Sequence, residues 1–209
     1  MRLLLSLSVR LPAILCGLLI AAEAGEVKVD INRDTKNLDT VTEVGFVKWS
    51  QGTTGGAASG TNAVTKSFTS LTGETVTVSF AQTALSASRG GTGLLSNWYQ
   101  AGAQGTAKLV SDGLTVAPAT LGTGGEMAMT ITGLSAGYHT LLTYHNAWDA
   151  LAAGSLGPMD IFLNGTQVVN NLQPTIRAAT NAAAPMAYLE FGDCSLGIDS
   201  GRNSAEKGG

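Results

Sequence analysis

Cysteine and charge are what this sequence lacks most, and each lack excludes something. Its two cysteines are Cys16 and Cys194. Cys16 falls in an apolar stretch that reads as a removable leader, so the mature chain keeps one thiol and has no intramolecular disulfide. A domain outside the cell without disulfides depends on the size of its core, and about 185 residues suffice for one domain with a single core. Charged residues are 13% of the chain and the net charge is −3. Nothing is basic enough to neutralise a phosphate backbone, which excludes nucleic acid as a partner. The composition is not that of a disordered chain either, because low charge accompanies 44% hydrophobic residues.

The apolar run at residues 11–22 is shorter than the about 20 residues a membrane span needs, and no second such run follows. It reads instead as a secretory signal peptide. Arg2 and Arg10 stand at its N-terminal side, and Ala22-Glu23-Ala24 fits a small-x-small cleavage site. Leu15 before Cys16 argues against a lipid anchor. Of 12 basic and 15 acidic residues, removal of 1–24 takes Arg2, Arg10 and Glu23, so 10 and 14 remain and the balance becomes −4. The expected organisation is a leader over 1–24, one domain over 25–191 and a disordered tail over 192–209.

What is present is small residues, β-branched residues and glycine turns, the pattern of an all-β chain folded as an antiparallel β-sandwich. The passage 126–170 organises it. Met127, Met129 and Ile131 alternate with Ala128, Thr130 and Thr132, the period of a half-buried strand. Gly133-Leu-Ser-Ala-Gly137 gives a tight connection to a second strand, on which Tyr138, Thr140, Leu142 and Tyr144 share a face. Asn164-Gly165 joins 159–163 to 166–169 as a hairpin. Further strands are expected at 27–31, 43–50, 63–71, 74–81, 108–116 and 186–191. Val76, Val78 and Phe80 face one way, and Phe46 and Trp49 are anchors. Leu94, Leu95 and Trp98 have the spacing of one helical turn tucked under the sheet. Residues 51–61 are a glycine-rich loop without the Gly-Lys-Ser/Thr ending of a phosphate loop.

One loop is unusually equipped for contact. Tyr144-His-Asn-Ala-Trp-Asp149 carries two aromatics, an imidazole, an amide and a carboxylate in six residues, and rigid sheets display binding residues on such loops. The plainer alternative makes Tyr144 core, His145 a cap on the strand and Trp148 a lid on one end. A second glycine loop, 86–93, holds Arg89, the one arginine between Arg33 and Arg177. Its guanidinium can fork onto a carboxylate or paired hydroxyls, or serve a structural ion pair.

Catalytic signatures are missing. There is no His-Glu-x-x-His, no Cys-x-x-Cys and no zinc spacing, so no metal, cofactor or catalytic residue is assigned. Ala153-Gly-Ser-Leu-Gly157 approaches a nucleophile elbow, but both histidines, His139 and His145, precede it, the wrong order for that triad. Two enzymatic alternatives stay open: a hydrolase pair from Asp149 and Asp160, and a lyase using His145 and Tyr144 with Arg89 against a uronate. Asn164-Gly-Thr166 fits a glycosylation acceptor, but the hairpin turn needs the same residues.

The order of features resembles a known group. A strand with Val29-Asp-Ile31 is followed by Arg89-Gly-Gly, Leu94-Leu95 and Asn97-Trp98. Then come Thr130-Ile-Thr-Gly-Leu-Ser-Ala-Gly-Tyr138, Tyr144-His145 and Leu163-Asn-Gly165. Over residues 26–191 this is similar to the galactose-binding-like and malectin-like modules attached to extracellular polysaccharide-degrading enzymes. The resemblance implies a jelly-roll sandwich that binds polysaccharide or oligosaccharide through loops at one end, without catalysis. The implied ligand residues are His145, Asn146, Trp148 and Asp149, with Arg89 and Trp98 across a cleft. A structural or adhesive extracellular protein, with the loop aromatics buried, is the remaining alternative.

Overall fold

The computed structural model describes residues 2–6, 25–33, 41–51, 63–83, 86–87, 94–99, 105–118, 124–147, 152 and 156–192. The fold is all-β. Its strands are β1 (Arg2–Ser6), β2 (Glu26–Arg33), β3 (Val47–Gln51), β4 (Ala63–Thr69), β5 (Thr75–Gln82), β6 (Ser86–Ala87), β7 (Leu95–Trp98) and β8 (Asp112–Thr115). They continue as β9 (Ala117–Pro118), β10 (Met127–Thr132), β11 (Tyr138–Tyr144), β12 (Asn146–Ala147), β13 (Met159–Leu163), β14 (Thr166–Leu172), β15 (Thr175–Ile176) and β16 (Met186–Gly192). The glycine loop at 52–61, Arg89, Trp148, Asp149, the serine of the 153–157 near-motif and the tail beyond 192 lie outside the described residues.

A five-stranded sheet runs β16-β11-β1-β2-β3, and a three-stranded sheet runs β10-β5-β4. They share one core. Val27, Val29 and Ile31 from β2, Trp49 from β3, Leu141 from β11 and Leu189 from β16 meet Phe68, Val76, Val78 and Phe80 of the smaller sheet. Trp49 is the pivot: its ring centroid lies 5.4 Å from Phe68 in an edge-on arrangement and 5.7 Å from Phe80. Phe80 is wholly buried, so truncating it to alanine costs about 3–5 kcal/mol. Met127, Met129 and Ile131 pack on the same core while Ala128, Thr130 and Thr132 face out, as their alternation indicates. Tyr99, Ala107, Leu109, Val110, Ala178 and Ala184 form a second, smaller cluster against which Phe46 and Tyr144 pack.

Most turns follow the residues that signal them. Asn164 (φ 49°) and Gly165 (φ 82°) both take left-handed backbone between β13 and β14, the pairing a two-residue hairpin turn requires. β4 and β5 pair across the turn that holds Gly73 at φ 86°. The connection 133–137 is not a hairpin, because β10 pairs with β5 whereas β11 pairs with β16. It carries the chain from the smaller sheet to the larger. Gly133, at φ 82°, lies so close to the carbonyl oxygen of Thr75 that a side chain has no room there.

Three expectations change. Leu95–Trp98 is a strand paired with β8, not a helical turn: Leu94 and Ser96 are both fully buried, a period of two that the adjacent leucines disguise. Residues 108–116 divide into a 3₁₀ turn at Lys108–Val110 and then β8. β3 pairs parallel to β2, as β15 does to β12, and a parallel pair needs a crossover rather than a hairpin.

β1 comes from within the expected leader. Its backbone pairs antiparallel with β11 (Leu4 opposite Leu142) and antiparallel with β2 (Leu4 opposite Lys28). β2 and β11 therefore run parallel to each other on either side of it, and β1 satisfies the backbone donors and acceptors of both edges.

Candidate functional site

On β11 the residues alternate strictly between two faces. His139, Leu141 and Thr143 are buried, whereas Tyr138 is exposed and Thr140, Leu142 and Tyr144 are half-buried. His139 donates from Nε2 to the carbonyl of Ser135 at 2.9 Å and stacks against Phe191 with centroids 5.5 Å apart. Thr143 Oγ1 meets His145 Nε2 at 2.7 Å. Thr143 and His145 thus satisfy each other on the inner face, whereas His139 is held by the Ser135 carbonyl and the Phe191 ring and its Nδ1 is buried without a hydrogen-bond partner among the described residues.

The outer face continues onto β16. The register sets Tyr138 opposite Gly192, Thr140 opposite Glu190, Leu142 opposite Tyr188 and Tyr144 opposite Met186, and directly opposed residues share a face. Tyr138 and Tyr188 are each 53% exposed and Met186 is 52% exposed. A Cβ built on Gly192 would stand 3.0 Å from Cδ1 and 3.1 Å from Cε1 of Tyr138. The tyrosine ring therefore lies over the glycine, which leaves it the space. Tyr188 donates its hydroxyl to Oε1 of Glu190 at 2.9 Å, fixing a carboxylate beside the ring. At the far end Tyr144 turns into the second cluster with Phe46. Burial, and secondarily Glu43, pushes its phenol up from the ordinary value. The result is a strip of aromatic and apolar side chains with a hydroxyl and a carboxylate at its middle.

The residues expected from the sequence fall differently. His145 is buried, its backbone N–H bonded to the Pro185 carbonyl at 3.0 Å. Burial drives its pKa from 6.5 down to about 3, so the ring is neutral at physiological pH. Asn146 is fully committed within the fold. Its Nδ2 donates to Tyr99 Oη at 2.9 Å and to the Val110 carbonyl at 2.8 Å. Its Oδ1 accepts from Thr175 Oγ1 at 2.9 Å and from the Ala178 N–H at 3.1 Å. All four hydrogen-bonding positions of that amide are filled, and none is left for a ligand. Trp98 is half-buried on β7; its neighbour Tyr99 reaches Asn146 and donates to the Ala178 carbonyl at 2.7 Å. Arg89, Trp148 and Asp149 lie outside the described residues. His145, Asn146 and Tyr99 thus form a structural joint between β11, the 3₁₀ turn and the 175–178 segment.

This chemistry bears on the lyase alternative. Tyr144 and His145, adjacent in sequence, go to opposite sides, and the phenol is harder to ionise than usual while the imidazole resists protonation. Neither shift prepares a general base or acid near neutral pH. Among the described residues no cluster of three or more His, Cys, Asp or Glu side chains converges on a metal position. No helix among them is long and apolar enough to cross a membrane.

Tyr188, Glu190, Gly192 and Met186 are absent from the set the sequence suggests, although the alternation at 138–144 already puts Tyr138 and Tyr144 on one face. The missing signal is the pairing of that strand with 186–192. No protein family, no curated protein and no solved structure matches the chain.

Proposed function

We propose that this chain is a secreted, non-catalytic carbohydrate-binding module of β-sandwich type that recognises polysaccharide. The observation that carries the reading is the outer face of β11 and β16, where Tyr138 lies over Gly192 and the Tyr188 hydroxyl is held by Glu190. A sugar presents an apolar C–H face and a rim of hydroxyls. Exposed tyrosine rings cover the first, and a carboxylate and a hydroxyl bond the second. Secretion is supported by Arg2, Arg10, the apolar stretch at 11–22 and Ala22-Glu23-Ala24.

Affinity electrophoresis of the full chain through gels holding dissolved polysaccharides tests this reading. Retardation on at least one polymer, lost in a folded Tyr138→Ala/Tyr188→Ala double variant, is the expected result. Free migration through every polymer by a folded wild-type protein would overturn it. Release of oligosaccharide products would move the protein to the enzymes.

A further inference from the structure

We infer that the β11–β16 face selects an uncharged glycan chain lying along the strands, and that Glu190 is the residue that rejects uronate polymers. This rests on the carbohydrate-binding reading and names the class of sugar.

Length comes first. Tyr138 and Tyr188 stand in register rows four residues apart, about 14 Å along the strand. One pyranose cannot touch both rings, so the ligand that uses both is an extended oligosaccharide with several sugar units.

Charge decides which oligosaccharide. Between the two tyrosine rows stand Thr140 and Glu190, directly opposite each other. The Glu190 carboxylate accepts the Tyr188 hydroxyl and is in no ion pair with a lysine or arginine among the described residues. Neither β11 nor β16 contains a lysine or arginine. The nearest lysine by register is Lys28 on β2, in the row of Leu142 and Tyr188, whose Nζ is engaged by Glu26 at 2.9 Å. A polyuronate laid on this face puts a carboxylate beside Glu190 at the centre. A neutral polymer instead offers a hydroxyl, which donates to the same oxygen atoms in a charge-assisted hydrogen bond.

The test is affinity electrophoresis of the full chain in gels containing a neutral β-glucan or polygalacturonate, at low and at high salt. Wild type and Glu190→Gln are compared, with circular dichroism confirming the fold. Glu190 is exposed, so the variant is expected to fold. The expected result is wild-type retention by the neutral glucan at both salt levels and a much weaker but measurable retention by polygalacturonate at low salt. Glu190→Gln should gain roughly five-fold in polygalacturonate affinity at low salt, the worth of one like charge in a wet site. High salt should narrow the difference between the two proteins by screening. Wild-type retention by polygalacturonate equal to or above that by the glucan overturns the inference while leaving carbohydrate binding intact. A Glu190→Gln protein identical to wild type on polygalacturonate overturns the role of Glu190. Free migration in both gels overturns the carbohydrate reading itself.

Discussion

Tyr138 and Gly192 are matched across the β11–β16 pair: the ring occupies the space that any side chain at 192 would fill, with Cδ1 3.0 Å from where its Cβ would stand. Gly192→Ala should therefore leave the strand intact and lift the ring from its seat. Glycan affinity is expected to fall roughly five-fold, about 1 kcal/mol, with stability changed by no more than about 0.5 kcal/mol. Isothermal titration beside a thermal melt reads both; unaltered affinity would show that the seated ring is not part of the binding surface.

Asn146 gives the opposite profile. Asn146→Leu strands the Val110 carbonyl and the Ala178 N–H, both on buried residues, at about 1–3 kcal/mol for each unmatched group. Urea unfolding should show a loss of several kcal/mol, and protein that remains folded should bind glycan as before. A loss below about 1 kcal/mol would contradict the structural role given to the amide.

His145 makes the fold acid-sensitive. Its pKa is 6.5 in ordinary surroundings and about 3 in the folded chain, so between those values the unfolded state binds more protons than the folded one. The contribution is at its full value above about pH 6.5 and falls by about 1.4 kcal/mol per pH unit as pH drops towards 3. Urea midpoints measured across that window should show the slope in wild type and a shallower one in His145→Gln. Equal slopes would place the titration elsewhere.

Gly133 couples the two sheets. With φ 82° and the Thr75 carbonyl oxygen where a Cβ would stand, Gly133→Ala combines unfavourable backbone with a clash. A loss of at least about 1–3 kcal/mol is expected, read as a lowered urea midpoint. A midpoint within error of wild type would mean the crossover relaxes freely.

The sequence shows its strands more readily than its sheets. Period two at 127–132 and 76–80, and the Asn164-Gly165 and Gly73 turns, identify elements correctly because each depends on its own residues. Which face of β11 turns inward is not local. Tyr138 is exposed and Leu142 half-buried, whereas His139 is buried with Nε2 on the Ser135 carbonyl and Thr143 is buried against His145. Tyr144, which the sequence offered as core, packs with the second cluster, while Tyr138 on the same strand is exposed, and the Asn146 amide is bonded to residues as distant as Tyr99 and Ala178. Parallel pairing of β2 with β3 and the insertion of β1 between β2 and β11 are likewise long-range facts.

β1 leads to one further expectation. In the chain that retains it, the backbone amides of 26–29 and 140–144 that face it are hydrogen-bonded and should resist exchange. In protein whose residues 1–24 have been removed, the same two segments face each other without a strand between and should exchange faster. Hydrogen exchange read by mass spectrometry on both forms decides this; identical protection would mean that β2 and β11 close on each other.

On the proposed reading glycan binds the β11–β16 face and not the 144–149 loop. The direct measurement is the affinity of three folded proteins for one retained polysaccharide: wild type, Tyr138→Ala/Tyr188→Ala and Trp148→Ala. Loss of binding in the tyrosine variant with near wild-type affinity in Trp148→Ala is the result expected. Loss in Trp148→Ala with the tyrosine variant unaffected would take the site away from the β11–β16 face and return it to the loop.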